Sequence, residues 1–468
     1  MQTYFVTKIT EQRGTPRIWL DGSRLAQAGF LPGCSYTLQV DAESRRLTLR
    51  LKQGGERLVS RKEKCGKLQP VIDICNGAKL AIFAGLERLR VIFSAGVVHI
   101  LPLASEARRI ERETRLREKL ASGQPLDVGS ISTGVGVLTL TMHEGLADAG
   151  LSSRLAVACD VDAGYLAQAE AKNPAWCRDT VMVAAPLQEI AFDPWAARKL
   201  PRVDVLEAGV PCTAHSIAGQ SKKGLDIPEA DSTVGHLAAG WLAWVALLNP
   251  AAIILENVPG YLTSASFAII RNQLTEWGYR VSATVLAGKE FNTMENRERM
   301  ALVAVSEGIE FSFDAVERPA PAVQRLGDLL DDVPLDSPVW SEMLGLKLKE
   351  AKDKAAGKGF MMQIFDEEST HVSTIGRGYA KVRSTEPKIR HPETPDLLRQ
   401  LSPEEHGRVK GINPILIDGM SATRAHEVLG QSVLPAVFRA VAKALGLSLR
   451  KWFAGLPSGE PSPFVLVA

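Results

Sequence analysis

The chain is poor in cysteine: six in 468 residues, none of them in a Cys-x-x-Cys pair. That scarcity argues against a zinc ribbon, a metal centre or a small disulfide framework, and leads to the expectation of a reducing, cytoplasmic setting. Long apolar runs are also missing. The longest, Gly240 to Leu255, is broken by Asn249-Pro250, so no membrane partner or membrane span is expected. The opening MQTYFVTKIT lacks the basic segment and apolar core of a secretion signal. Charge of one sign is scarce as well: 55 Lys and Arg meet 53 Asp and Glu, a net of +2, which excludes a uniformly basic surface but allows a local basic cleft. What remains is 45% hydrophobic and 23% charged, the profile of a globular protein with room for about three domains.

Residues 1–103 read as an all-β module containing a diverged duplication. PRIWLDGSRLAQAGFLPG from Pro16 and PVIDICNGAKLAIFAGLERL from Pro70 each run strand, Gly turn and Leu-centred helical turn. A β pair follows each: YTLQV with RRLTLRL, then RLRVIF with GVVHIL. The first copy resembles the swapped-hairpin barrels of the SpoVT/AbrB type, which implies a DNA-binding body; a plain docking module is the alternative. Residues 104–124 read as a charged, solvated linker helix. From Leu126 apolar strands alternate with amphipathic helices, the pattern of a doubly wound α/β sheet. Its expected strands are LDVGSIS, RLAVACD, DTVMVAA, RVDVLEAG, AAIILEN, YRVSATVLA and RMALVAV. The expected domain therefore covers 125–310 and 396–455, interrupted by a looser region at 311–395 and followed by a tail at 456–468.

Several motifs fall at strand ends. Ser132-Thr133-Gly134-Val135-Gly136 follows the first strand, a turn that lets a ligand approach the backbone, and Asp160-Val161-Asp162 closes the second, where a carboxylate can accept ribose hydroxyls. Pro211-Cys212 leaves the fourth strand, and the loop after it carries Ser216, Gly219, Lys222 and Lys223, a segment suited to closing over a polyanion. Glu256-Asn257-Val258 ends the next strand, so Cys212 and Glu256 can face one substrate at the ligand edge of a parallel sheet. Arg297 and Arg299 stand at alternate positions and face the same way if the segment is extended.

Taken in order, GVPC (209–212), ENV (256–258), NRER (296–299), RQLSPEEHGRVKG (399–411) and GQSV (430–433) resemble the cytosine-5 DNA methyltransferases over about Leu126 to Leu445. The resemblance implies a Rossmann-like methyltransferase sheet dependent on S-adenosylmethionine, with a small inserted target-recognition domain. It implies that Cys212 is the nucleophile, that Glu256 engages ring nitrogen 3 as a protonated acid, and that Arg299 and, secondarily, Arg297 hold the base carbonyl. It places the cofactor on Ser132, Thr133, Gly134, Gly136, Asp160, Pro211, Gln431 and Ser432. Duplex DNA, with its target base swung out, is the implied partner. The basic stretch His371 to His391, with Arg377, Lys381, Arg383, Lys388 and Arg390, is expected to contact it.

The chain departs from the family pattern at several points. Ser130-Ile131-Ser132 stands where an Asp-x-Phe is usual, Val137 replaces a Gly, and Pro186 or a neighbour an acid. Thr213, Glu295 and Gln431 replace Gln, Gln and Asn. RNA cytosine methylation and a catalytically silent DNA-binding regulator are the alternatives, and a cognate restriction endonuclease is compatible with the resemblance.

Overall fold

The computed structural model describes residues 2–64, 66–211, 227–232, 234–357 and 359–455. The chain divides into two compact units, Met1–Thr114 together with Leu456–Ala468, and Arg115–Gly455. The expected tail at 456–468 lies outside the described residues.

The first unit is mainly β, with short helices at Ser23–Gln27 and Gly77–Leu80, a 3-10 turn at Ala81–Phe83 and, from Ala104, the start of the helix Ala104–Ser122. Its strands are β1 (Thr3–Lys8), β2 (Thr10–Gln12), β3 (Thr15–Asp21), β4 (Ser35–Asp41), β5 (Arg46–Leu51), β6 (Arg57–Leu58), β7 (Ser60–Lys64), β8 (Lys67–Cys75), β9 (Arg88–Ser94) and β10 (Val97–Pro102). They form a sheet in the order β1-β9-β10-β5-β4-β6 and a second in the order β2-β3-β8-β7. The two similar segments are paired with each other. Trp19 and Asp73, equivalent positions when Pro16 and Pro70 are aligned, oppose each other in the β3–β8 pair. β1, ahead of the first segment, pairs with β9 of the second, while β6, ahead of the second, pairs with β4 of the first. A core including Ile18, Leu20, Phe30, Leu49, Ile72, Ile74, Phe83 and Val98 fills the interior.

The second unit is built on a seven-stranded sheet. β11 (Leu126–Ile131), β12 (Ser153–Asp160), β13 (Val181–Ala184), β14 (Val205–Ala208), β15 (Ala252–Asn257), β16 (Tyr279–Ala287) and β17 (Glu298–Ser306) lie in the order β13-β12-β11-β14-β15-β17-β16. All seven expected strands are present. The first five run parallel and are nearly continuous apolar sequences because helices cover both faces. β17 runs antiparallel to both of its neighbours. Chain order reverses between β11 and β14, which opens the crevice where ligands of such sheets bind. The helix Pro435–Ala454 packs on the helix Val137–Asp148.

The linker reading needs correction. Residues 104–122 are helical, but Leu116 is fully buried, and Arg115 donates to the Asp204 carboxylate and to the carbonyls of Val203 and Asn249 at 3.1, 2.7 and 2.7 Å. Lys119 adds bonds to Asp127 and Asp204. Asp204 is itself wholly buried, so these cations neutralise an acid under the sheet instead of facing water. The region 311–395 holds the helix Leu344–Ala355 and two strands, Ile364–Phe365 and Lys388–Arg390, of a small sheet completed by Leu398–Arg399; it stays within the second unit. Among the described residues no single helix is long and apolar enough to cross a membrane, and no group of three or more His, Cys, Asp or Glu could hold a metal.

Candidate active site

The ends of β11, β12, β14 and β15 meet at the switch point. After β11 the chain turns through Ser132 (φ 59°), Gly134 (φ 56°) and Gly136 (φ 77°), all in the left-handed region. Gly136 is dictated by packing: a Cβ there would lie 2.3 Å from Asn173 Nδ2, whose amide donates to the carbonyls of Val135 and Gly136 at 2.9 and 2.8 Å. A Cβ on Gly134 would meet only open space, so the turn presents bare backbone outward there. The Thr133 hydroxyl is buried against the carbonyls of Ser130 and Cys159 at 3.2 Å each and braces the turn from beneath.

Asp160 sits beside this turn. Its two oxygens accept from the backbone of Gly134 (2.8 Å) and Asp162 (2.9 Å), and burial, partly offset by these bonds, raises its carboxyl above the ordinary range. Asp162 caps the helix Ala163–Lys172 and pairs with Arg424, whose guanidinium stacks 3.8 Å over the Tyr165 ring. Gln431 reaches Tyr165 Oη at 3.4 Å, which brings the last motif to the same cleft. Sequence reasoning missed Asn173, Tyr165 and Arg424. It also missed Val161, an apolar side chain 72% exposed directly after Asp160.

The expected turn at Gly430-Gln431-Ser432 is a helix end: Gly430 and Gln431 close the helix Ala422–Gln431, and Ser432 caps it with its hydroxyl on Val428 O at 2.7 Å. Gly430 is required because a Cβ would strike the backbone of Gly376 and Arg377 at 2.3 to 2.4 Å.

Cys212, Ser216, Gly219, Lys222 and Lys223 lie outside the described residues. The chain leading to them is defined as far as Pro211, which is exposed. Asn257 Nδ2 holds the Val210 carbonyl at 3.2 Å, and a Cβ on Gly209 would stand 3.5 Å from Glu256 Oε2. Glu256 in turn is bonded to Arg299, Nε to Oε1, at 2.8 Å. Antiparallel pairing explains the meeting: Glu256 opposes Ala301, so residue 299 falls just beyond the end of β15 on the same face.

Arg297 does not join them. Its backbone N–H closes a tight turn onto Glu295 O (3.0 Å) before β17 begins, so the segment is not extended and the two arginines part. The Arg297 guanidinium is 3% exposed and donates to Glu295 Oε1, Ile375 O and Gly430 O at 3.1, 3.2 and 2.9 Å. Lys410 Nζ binds the other Glu295 oxygen at 2.8 Å. Burial would raise the Glu295 carboxyl, but Lys410 and Arg297 outweigh it and hold it at about 2. This buried triad ties the start of β17 to the segment 372–376 and to the helix Pro403–Lys410.

The basic stretch also divides. Lys381 and Arg383 are exposed, whereas Arg377 pairs with Glu427. Lys388 is buried on the carbonyls of Arg383 and Glu386 at 2.9 and 3.0 Å, and burial pushes its amine down to about 8. Its expected DNA contact is therefore replaced by a structural one.

Residues 182–447 match the C-5 cytosine-specific DNA methylase family. The chain belongs to that family. It is 31% identical over 257 residues to the Type II methyltransferase M.NlaX of Neisseria lactamica, covering 53% of this chain and 78% of the relative. The corresponding values for M.SsoII of Shigella sonnei are 30% over 261 residues, 53% and 65%. Among solved structures, the S. pombe Dnmt2 methyltransferase (TM-score 0.52, 17% identity, 70% of this chain and 99% of that one) and the Entamoeba histolytica methyltransferase EhMeth (0.53, 17%, 69% and 98%) share the fold. The methylase transfers a methyl group from S-adenosylmethionine to carbon 5 of cytosine in DNA.

Proposed function

We propose that Cys212, Glu256 and Arg299 carry this reaction on a cytosine swung out of the duplex. The Cys212 thiolate adds to ring carbon 6 while Glu256 protonates nitrogen 3, so that the displaced electron pair makes carbon 5 nucleophilic. Arg299 orients the Glu256 carboxyl and faces the base carbonyl, where negative charge develops. After methylation a base removes the carbon 5 proton, the carbon 5–carbon 6 double bond re-forms as the thiolate leaves, and nitrogen 3 returns its proton to Glu256. S-adenosylmethionine, when bound, supplies the electrophilic methyl group. The observation that carries the reading is the Glu256–Arg299 pair beside Gly209, at the strand ends next to the switch point.

The turn at Ser132–Gly136 fits the methyl donor: open space at Gly134 admits the methionine portion against bare backbone. Asp160 retains acceptor capacity for ribose hydroxyls beyond its two backbone bonds, and exposed Val161 offers an apolar surface to an adenine face. Gln431 completes this cleft, with Pro211 assigned to it from the sequence. Ser216, Gly219, Lys222 and Lys223 are assigned to DNA contact from the sequence, and Lys381 and Arg383, with Arg377 once released from Glu427, contact it from the target-recognition region 311–395. The Type II names of the relatives support a modification role beside a cognate restriction endonuclease in the cytoplasm.

For the N-terminal unit we favour the SpoVT/AbrB-like, DNA-binding reading. Residues 1–103 carry sixteen Lys and Arg against eight Asp and Glu, so this module is basic although the whole chain is nearly neutral. Transfer of labelled methyl groups to duplex DNA and to total RNA, by wild type and by Cys212→Ser, tests the function. Incorporation into DNA alone, lost in the variant, is expected; preferential labelling of RNA, or none, overturns it.

A further inference from the structure

Glu207 is a wholly buried carboxyl that the reaction above does not use. It lies on β14, the strand that runs directly toward residue 212, and in the β11–β14 pair it opposes Ser130. Thr139 Oγ1, in the first turn of the helix Val137–Asp148, donates to Glu207 Oε1 at 2.6 Å and stands 3.1 Å from Ser130 Oγ. Ser130 Oγ reaches Thr133 Oγ1 at 2.9 Å, and Thr133 braces the glycine turn through Cys159 O. A ladder of hydroxyls therefore runs from Glu207 through Thr139 and Ser130 to both ends of that turn. Ser130 itself stands where the resemblance to the cytosine methyltransferases leads to an aspartate. Here the carboxyl comes from the residue directly across, on the neighbouring strand.

We infer that Glu207 is a positioning residue for the methyl-donor turn, holding Thr133 to Thr139 in place as a neutral acid and releasing them when it ionises. The inference rests on the reading that this turn receives the donor. The polar groups facing Glu207 are the hydroxyls of Thr139 on the helix and Ser130 on β11. The nearby ionisable groups are engaged elsewhere: Glu256, on the same sheet face of β15 and two residues beyond the Ile254 that opposes Glu207, is held by Arg299, and His143, one turn beyond Thr139, bonds Ser153 Oγ at 2.6 Å. Burial pushes the Glu207 carboxyl up to about 7, the Ser130 and Thr139 hydroxyls pulling the other way. An ionised carboxylate at this place needs water, and opening the first helical turn would supply it. Donor binding selects the closed turn and hence the neutral acid.

The test is donor affinity measured by calorimetry on the full chain from pH 6 to 8.5, using S-adenosylmethionine itself. Wild-type Kd should rise about tenfold over this range, the linkage expected if donor binding raises the Glu207 pKa by about one unit. Glu207→Gln, which keeps size and hydrogen-bonding capacity without a charge to lose, should match wild type at pH 6 and stay flat above it. Thr139→Val, which alters no ionisable group, should raise Kd at pH 6, and with it the KM for the donor more than it lowers kcat. Parallel pH profiles for wild type and Glu207→Gln, or unchanged affinity in Thr139→Val, overturn the inference. Gly134→Val separates the two claims: if it leaves donor affinity intact, the reading of the turn fails; if it abolishes binding while Glu207→Gln follows wild type, only the role of Glu207 fails.

Discussion

The carboxyl of Glu256 and the guanidinium of Arg299 stand 2.8 Å apart where β15 meets β17, brought together by an antiparallel strand inserted beside a parallel one. On the proposed assignment of Arg299 to the base carbonyl, Arg299→Ala should lower kcat by about a hundredfold or more, the cost of losing one preorganised charge contact. Glu256→Gln should lose at least as much. Single-turnover methylation of duplex DNA measures both; a change confined to the KM for DNA would reassign Arg299 to binding.

Arg297 should behave differently. Removing it leaves Glu295 with Lys410 as its remaining cation and the Ile375 N–H as its other donor, and two buried carbonyls, Ile375 O and Gly430 O, without the arginine that bonds them. Arg297→Ala is expected to cost about 3 to 5 kcal/mol of stability, as for other broken buried pairs. Urea denaturation reads it. A stable variant with a large kcat defect would return Arg297 to the chemistry.

The two glycines of the donor turn should also separate. Gly136→Ala drives a Cβ to within 2.3 Å of Asn173 Nδ2 and breaks the bonds that lock the turn, so it should lower the melting temperature and weaken donor binding together. Gly134→Ala meets open space and bears only the left-handed backbone cost, about 1 to 2 kcal/mol. Thermal unfolding of the pair checks the order; an equal or reversed ranking contradicts it.

Stability should fall with pH through Glu207. Its folded pKa of about 7 lies above the ordinary 4.5, so the folded state keeps a proton that the unfolded chain has lost between those values. The contribution is complete below pH 4.5, declines through the window to pH 7 and is gone above it, about 3 kcal/mol in all. Glu207→Gln should remove this slope. Urea midpoints at pH 5 and pH 8 test the difference, which vanishes if the carboxyl titrates normally.

The sheet was legible because parallel strands covered on both faces must be apolar throughout, and all seven expected segments form it. The order of Gly134, Asp160, Glu256 and Arg299 at strand ends was legible for the same reason: a doubly wound sheet gathers those ends. Other features depended on partners distant in sequence. Nothing near residue 115 announces the buried Asp204 that turns a charged helix face inward, and nothing near Lys388 announces the carbonyls that consume it. Arg297 was misplaced because alternate spacing implies a shared face only in extended chain, and the turn at Glu295 ends that condition.

Cys212 is the proposed nucleophile, and a mechanism-based trap tests that assignment most directly. A duplex containing 5-fluorocytosine at the target site, incubated with S-adenosylmethionine, blocks the final elimination because fluorine occupies the position of the departing proton. Wild type should form a denaturation-resistant protein–DNA adduct, mapped by mass spectrometry to the peptide containing Cys212, and Cys212→Ser should form none. An adduct on another residue, or wild-type methyl transfer to the analogue without any adduct, would contradict the account.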